Sequence, residues 1–270
     1  MKEKSKAIVI SQAMIAPGIY DLWLKTKLAL SAHCGQFVGV YPKDKSTLLP
    51  RPISICEVSD DFSALRLVYR VAGKGTDEFS TLKAGDEVML LGVLGNGYEF
   101  TEIFGEDLSA ASNVVLMGGG IGLPPMLQLA KELHHHGIKS TVIAGYRDNS
   151  IMLNLDLAKY ATLEIATEDG SVGIKGNVLD VVKAKDIKTD VILACGPMPM
   201  LRAIKKYAEN EKNNGHNVRA FISLEERMAC GVGACLGCVC KTTKKDGHSH
   251  VNNARICTDG PVFNSEDVDI

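Results

Sequence analysis

Apolar and polar positions alternate through the first hundred residues. Tyr20, Leu22 and Leu24 alternate with Asp21 and Lys25, and Leu65, Leu67, Tyr69 and Val71 alternate with Arg66 and Arg70. A period of two marks strands with one buried face. Residues 7–14, 35–41, 52–58 and 87–93 are further strand candidates, separated by clusters of Gly and Asp. Six short strands with little helix predict a small antiparallel barrel or sandwich. The pattern changes near Phe104. Residues 113–117 (NVVLM) form a short apolar run, as expected of a strand buried on both faces, and a helical pattern covers 123–136. Residues 141–145, 163–167 and 191–195 repeat the short-strand theme, and 198–213 form an amphipathic helix. Strands alternating with helices predict a doubly wound parallel sheet. The last fifty residues are loop-like and rich in Cys and Gly. These changes divide the chain into units at 1–103, 104–222 and 223–270.

Composition narrows the function classes. At 46% apolar and 23% charged residues, the 270-residue chain matches an ordinary globular protein of about two domains. A net charge of -2 gives no general attraction to nucleic acid or anionic lipid, and 6% aromatic residues leave little for a base-stacking surface. The 23 uncharged residues from Leu108 to Ala130 carry four glycines and then Pro124 and Pro125, a break that a spanning helix does not tolerate at its centre. The start, MKEKSKAIVISQAM, lacks the apolar core of a secretory signal. The expectation is a cytoplasmic protein that binds neither membrane nor nucleic acid.

Cysteine changes the picture most. Of eight cysteines, five fall between Cys230 and Cys257. Clustered thiols in a large chain of this kind suggest metal or redox chemistry. Cys230-x4-Cys235-x2-Cys238, with Cys257 further on, has the spacing of plant-type [2Fe–2S] ligands. Gly231, Gly233 and Gly237 let the backbone bend and turn amide N–H groups toward the sulfurs. A structural zinc site is the alternative, although paired C-x2-C knuckles are its commoner form. Cys240 reads as a spare thiol.

Three weaker motifs accompany the cysteines. MGGGIGLPP, with Gly118, Gly119, Gly120 and Gly122, follows a predicted strand and opens a predicted helix, as a pyrophosphate-binding loop does; a tight strand–helix turn is the alternative. Arg51-Pro52-Ile53-Ser54 with Gly73-x-Gly75-Thr76 offers an arginine, hydroxyls and a glycine turn to a phosphate, or is a strand end with an ordinary turn. Cys195-Gly196-Pro197 ends a predicted strand where open α/β sheets bind ligands, and residues 167–171 (TEDGS) end another. Arg147 could receive a 2′-phosphate, which Asp148 beside it would oppose. The consecutive His134, His135 and His136 point about 100° apart on a helix and do not share a metal.

Taken in order, RPIS, GKGT, GGGIGLPP, TEDGS, CGP and the cysteine cluster resemble the ferredoxin–NADP reductase superfamily over nearly the whole chain. With GQFVGVYP, LLPRPISI and SLEERMACGVGACLGC the chain resembles the electron-transfer subunits of NAD-dependent (class 1B) dihydroorotate dehydrogenases. The resemblance implies a six-stranded barrel that binds FAD. Arg51, Pro52, Ile53 and Ser54 would contact flavin and phosphates, Val68, Tyr69 and Arg70 a further part of the flavin, and Gly75 and Thr76 the pyrophosphate. Residues 118–122 would bind NAD(H), and Cys195, the catalytic candidate, would with Gly196 and Pro197 meet the nicotinamide. Cys230, Cys235, Cys238 and Cys257 would ligate a [2Fe–2S] cluster. The implied partner is an FMN-containing catalytic subunit that oxidises dihydroorotate in pyrimidine synthesis, in a heterotetramer of two plus two. Electrons would run from that FMN through the cluster and FAD to NAD⁺.

The alternatives are the NAD(P)H-binding subunit of a ferredoxin:NADP transhydrogenase or sulfhydrogenase, an oxygenase reductase with a ferredoxin tail, and, from another class, a zinc-stabilised binding module. The polar stretch KTTKKDGHSHVNNA between Cys238 and Cys257 is expected to be a tolerated insertion, since loop-closure cost rises slowly with length.

Overall fold

The alternating segments close into a barrel. In the computed structural model, which describes residues 3–108, 111–153, 155–245 and 250–270, strands β1 (Glu3–Ala16), β2 (Ile19–Lys25), β3 (Phe37–Tyr41), β4 (Arg51–Val58), β5 (Ala64–Arg70) and β6 (Glu87–Leu94) form it. The order around the barrel is β1-β2-β5-β4-β3-β6, and every pairing is antiparallel. Inward positions such as Val9, Leu22, Leu24, Ile55, Leu67 and Leu90 fill the interior. Closure leaves no unpaired edge. The Gly73–Thr76 segment, read as a turn from sequence, instead starts a short helix, α1 (Lys74–Phe79). Its end is held by Gln12, whose amide donates to the carbonyls of Phe79, Ser80 and Leu82 at 3.0–3.2 Å.

After a helical turn, α2 (Phe100–Phe104), the chain enters the second layer. Strands β7 (Val114–Gly119), β8 (Ser140–Tyr146), β9 (Thr162–Thr167), β10 (Ile174–Lys175), β11 (Val191–Cys195) and β12 (Arg219–Ser223) are parallel, in the order β10-β9-β8-β7-β11-β12. Helices α3 (Pro124–His135), α4 (Val178–Ala184) and α5 (Met198–Asn213) connect them. Every residue of β7 is buried, as its unbroken apolar run predicts for a central parallel strand. Pro124 and Pro125 occupy the first turn of α3, where their missing N–H groups have no intrahelical acceptor to lose. The chain winds from β7 to β8 and β9 on one side, and from β11 to β12 on the other. The direction of winding therefore changes between β7 and β11, the place where such sheets open a crevice for ligands. His134, His135 and His136 lie exposed at the end of α3.

The last segment is less loop-like than its composition suggests. β13 (Val239–Lys241) and β14 (Asn253–Arg255) form a hairpin, and β15 (Val262–Asn264) joins the large sheet antiparallel to β12. The hairpin connection includes residues 246–249, so part of the expected insertion lies outside the described residues. Residues 109 and 110 of the uncharged stretch do so as well. Among the described residues no helix is long and apolar enough to cross a membrane.

Barrel and sheet are joined by shared apolar clusters. Ile19, Cys56 and Val68 from the barrel pack with Met126, Leu127 and Leu129 of α3. A second cluster joins Leu91 and Leu94 of β6 to Cys238, Ile256 and Cys257 of the last segment.

Candidate functional site

At the change of winding, two loops meet backbone to backbone. β7 and β11 are neighbours, with Gly118 opposite Cys195, so the glycine loop and Cys195-Gly196-Pro197 leave the sheet side by side. A β-carbon on Gly122 would collide with the Cys195 carbonyl and stand 2.6 Å from its carbon and 2.8 Å from the Gly196 Cα. A β-carbon on Gly119 would lie 2.7 Å from Pro197 and 2.8 Å from the Met200 sulfur. Only glycine fits these two positions. Gly120 is different: the space around it is open, and its φ of +53° sets the bend. Cys195 is partly exposed, but burial of its sulfur pushes the thiol up to about 12, so it is a neutral donor at physiological pH.

Tyr98 sits beneath this junction, in the segment that links barrel and sheet. It is 4% exposed; its hydroxyl donates to the Ala194 carbonyl at 3.0 Å and its amide to the Cys34 carbonyl at 3.0 Å. Burial pushes its phenol well above the ordinary range, so it remains a donor. Residues 167–171 lie two strands away from β7 and form a closed polar turn: Thr167 exchanges hydrogen bonds with Val172, and Asp169 accepts from the Ser171 amide. Arg147 is exposed beyond β8, next to Asp148, which accepts from the Ser150 amide at 2.8 Å.

On the barrel, β4 opens with Arg51, Pro52, Ile53 and Ser54, all half-buried. The Arg51 side chain crosses the start of α1, where a β-carbon on Gly75 would stand 2.7 Å from its Nε. Its Nη1 donates to the Leu49 carbonyl at 2.7 Å, and it makes no ion pair among the described residues. Thr76 closes the turn by accepting from the Ala72 and Gly73 amides at 2.8 and 3.2 Å. A guanidinium without a carboxylate, beside a glycine-lined backbone, fits a phosphate group. On β5, Val68 and Tyr69 are buried and Arg70 is exposed. The Tyr69 hydroxyl donates to Gln12 at 2.9 Å, and its ring stacks on Tyr20 at 5.7 Å. These contacts lock the strand next to α1.

The cysteine loop lies against β6. A β-carbon on Gly231 would stand 3.0 Å from Leu91, and one on Gly233 2.8 Å from Thr258. Gly231 and Gly233 take φ values of +69° and +82°. These bends aim amides at sulfur: Val232 and Cys235 donate to the Cys230 Sγ, and Gly237 to the Cys235 Sγ, each at 3.4 Å. Partial burial works against ionisation of Cys230, but the amide bonds outweigh it and bring the thiol down to about 6. A preformed thiolate surrounded by amide donors fits an iron–sulfur centre. Cys235 is exposed, while Cys238 and Cys257 are buried. Among the described residues, no three Cys, His, Asp or Glu side chains converge on one metal position. A two-iron cluster divides its four sulfurs between two irons and does not need that convergence. Cys240 is half-buried on β13 opposite Ala254, and burial raises its thiol. The Cys257 side is anchored too: Asp259 accepts from the Arg255 amide and guanidinium at 2.8–3.0 Å, and the Asn96 amide donates to the Gly260 carbonyl at 2.6 Å.

Residues 225–269, which contain all four candidate ligand cysteines, match the family model described as the iron-sulfur cluster binding domain of dihydroorotate dehydrogenase B. Over 256 residues the chain is 40% identical to the dihydroorotate dehydrogenase B (NAD(+)) electron transfer subunit of Streptococcus pneumoniae strain R6, covering 94% of each chain. The chain belongs to this family. A Listeria innocua member is 39% identical over 266 residues, 97% of each chain. The fold is also that of a solved NADH-dependent reduced ferredoxin–NADP oxidoreductase, with a TM-score of 0.81, 27% identity, and coverage of 97% of this chain and 89% of that one. The sequence reading missed Tyr98 and Gln12, because their partners lie 96 and 57 or more residues away. The only local signal for Tyr98 is its position after Gly95-Asn96-Gly97.

Proposed function

We propose that this chain connects an FMN-containing dihydroorotate dehydrogenase catalytic subunit to NAD⁺ in pyrimidine synthesis, in a complex of two plus two subunits. Units 1–103, 104–222 and 223–270 carry the FAD, NAD(H) and [2Fe–2S] sites. When bound, the flavin exchanges electrons singly or in pairs, which joins a one-electron cluster to a two-electron nicotinamide.

The chain's own residues do the placing. Cys230, Cys235, Cys238 and Cys257 hold the irons, and the amides of Val232, Cys235 and Gly237 stabilise anionic sulfur. Arg51, with Gly75 and Thr76 at the start of α1, takes the flavin pyrophosphate, while Pro52–Ser54 and Val68–Arg70 take the remainder. Gly118–Gly122 at the head of α3 take the dinucleotide phosphates, and Cys195-Gly196-Pro197 set the nicotinamide. Cys195 acts as a neutral donor and not as a nucleophile, in keeping with its raised thiol.

The observation that carries this reading is the joint placement of the cysteine loop on β6 and the glycine loop against β11, within a chain 40% identical to an electron transfer subunit over 94% of its length. Purification under anaerobic conditions tests it. The expected result is FAD, two irons and an equimolar FMN protein that oxidises dihydroorotate. A colourless zinc protein refutes it. The similarity to the ferredoxin–NADP oxidoreductase supports a second reading, as the NADH-binding subunit of a transhydrogenase. An iron–sulfur partner in place of the FMN protein decides for that one.

A further inference from the structure

Helix α3 starts at the glycine loop, is buried along nearly its whole length, and carries three polar residues at i, i+3 and i+4: Gln128, Lys131 and Glu132. Gln128 and Lys131 are only 7% and 5% exposed. All three reach across to the barrel. The Val58 amide donates to the Gln128 Oε1 at 2.8 Å, and the Gln128 Nε2 donates to Glu132 at 2.9 Å. Glu132 accepts from the Cys34 amide at 3.1 Å. The Lys131 Nζ meets Glu57 at 3.2 Å, the Val58 carbonyl at 3.2 Å and Asp60 at 2.6 Å. Glu57 continues to Arg66 at 3.2 Å, and Arg66 to Asp21 at 2.8 Å, so the network spans three barrel strands. Burial opposes the charge on Lys131, but its bonds to Asp60 and Glu57 outweigh that and hold the ammonium above its ordinary range.

The apolar contact around this network is non-directional and fixes no angle between the two units. Paired buried polar groups do fix one, because a slipped arrangement leaves them unsatisfied. We propose that Gln128, Lys131 and Glu132 are positioning residues that set the angle between the α3 glycine loop and the β4 segment Arg51–Ser54. The proposal rests on the reading of those two segments as dinucleotide and flavin contacts. Both are ends of regular elements that run out from the clamp. From Val58 back to Ile53, β4 spans roughly 16 Å at about 3.3 Å per residue. A rotation of about 5° at the clamp therefore moves the far end by roughly 1.4 Å. Hydride transfer needs reacting atoms about 3–3.5 Å apart, and a 1 Å misplacement costs on the order of 10²-fold in rate.

The test compares the flavin-loaded chain with Lys131→Met, Lys131→Arg and Gln128→Met. Three quantities are read: hydrogen exchange at the Val58 amide, the long-wavelength absorbance that appears when nicotinamide stacks on flavin, and the rate of flavin bleaching by NADH. Both Met variants are expected to keep their flavin, lose protection at Val58, weaken the stacking band and bleach about 10–100-fold more slowly. Lys131→Arg, which restores the charge, is expected to stay within about threefold of the parent. If Lys131→Met does not fold, Gln128→Met carries the comparison alone. Unchanged bleaching in the folded Met variants overturns the proposal, as does slow bleaching with Val58 still protected. A parent chain that binds flavin but is not bleached by NADH overturns the functional reading instead.

Discussion

Replacing Gly122 by Ala tests the junction of the two loops directly. The new β-carbon would collide with the Cys195 carbonyl oxygen and stand 2.6 Å from its carbon, while ordinary contact begins at 3.4 Å, so the loops must part by at least about 0.8 Å. Both sides are backbone, and no rotamer change relieves the clash. Overpacking of this kind costs about 1–3 kcal/mol, and each kcal/mol lowers Tm by about 2–4 °C in a chain of this size. A kinetic effect is expected as well, because the displaced atoms flank the proposed nicotinamide position. Flavin reduction by NADH, followed in a stopped-flow instrument, should slow about 10–100-fold with flavin content unchanged. Gly137→Ala, past the far end of α3 and with a φ of +73°, is the control. Its surroundings are open, so its cost is the left-handed backbone alone, about 1–2 kcal/mol, with no displacement of Cys195. Its reduction rate should stay within a few-fold of the parent despite a similar loss of Tm. Equal rates for the two variants would show that close approach at Gly122 does not position the reacting groups.

Other outcomes are equally specific. Cys235→Ser should abolish the paramagnetic iron signal seen after dithionite, yet leave NADH-driven reduction of a small dye through FAD intact; loss of dye reduction with FAD retained would refute the electron order. Tyr98→Phe leaves the Ala194 carbonyl without its buried donor and should cost about 1–3 kcal/mol in a denaturant titration, with an unchanged midpoint counting against it. In the iron-free chain Cys195, with its thiol pushed up to about 12 against an ordinary value of 9.0, should be alkylated much more slowly than exposed Cys235 at pH 8, as read by mass spectrometry. Between those two values the folded chain holds a proton that the unfolded chain has lost, so this group lowers stability as pH rises from 9 toward 12.

Local pattern carried most of the architecture. The alternation around Leu22 and Leu67 places both side chains in the barrel interior, and the apolar run at 113–117 becomes the buried central strand β7. The range 198–213 for α5 matches the structure residue for residue. Where local signals were ambiguous, distant partners decided. Gly73 and Gly75 look like a turn, but Gln12 and Arg51 pack against the segment and support a helix. β15 has three residues and owes its extended form to β12 beside it. The clamp on α3 was legible in principle, since Gln128, Lys131 and Glu132 interrupt an apolar helix at helical spacing. Their partners on β4 were not, because nothing in the sequence sets Val58 opposite residue 128.

The strand β15 has a practical consequence for dissecting the protein. It is the final unit's own backbone that covers the outer flank of β12, pairing Val262–Asn264 with Phe221–Ser223. A fragment trimmed at residue 223 to isolate a cluster-free reductase would therefore lose more than its cysteines. It would bare a ladder of unsatisfied N–H and C=O groups on a hydrophobic strand, an open template for intermolecular pairing. Such a fragment needs its tail retained, with the cysteines replaced, to keep that edge covered.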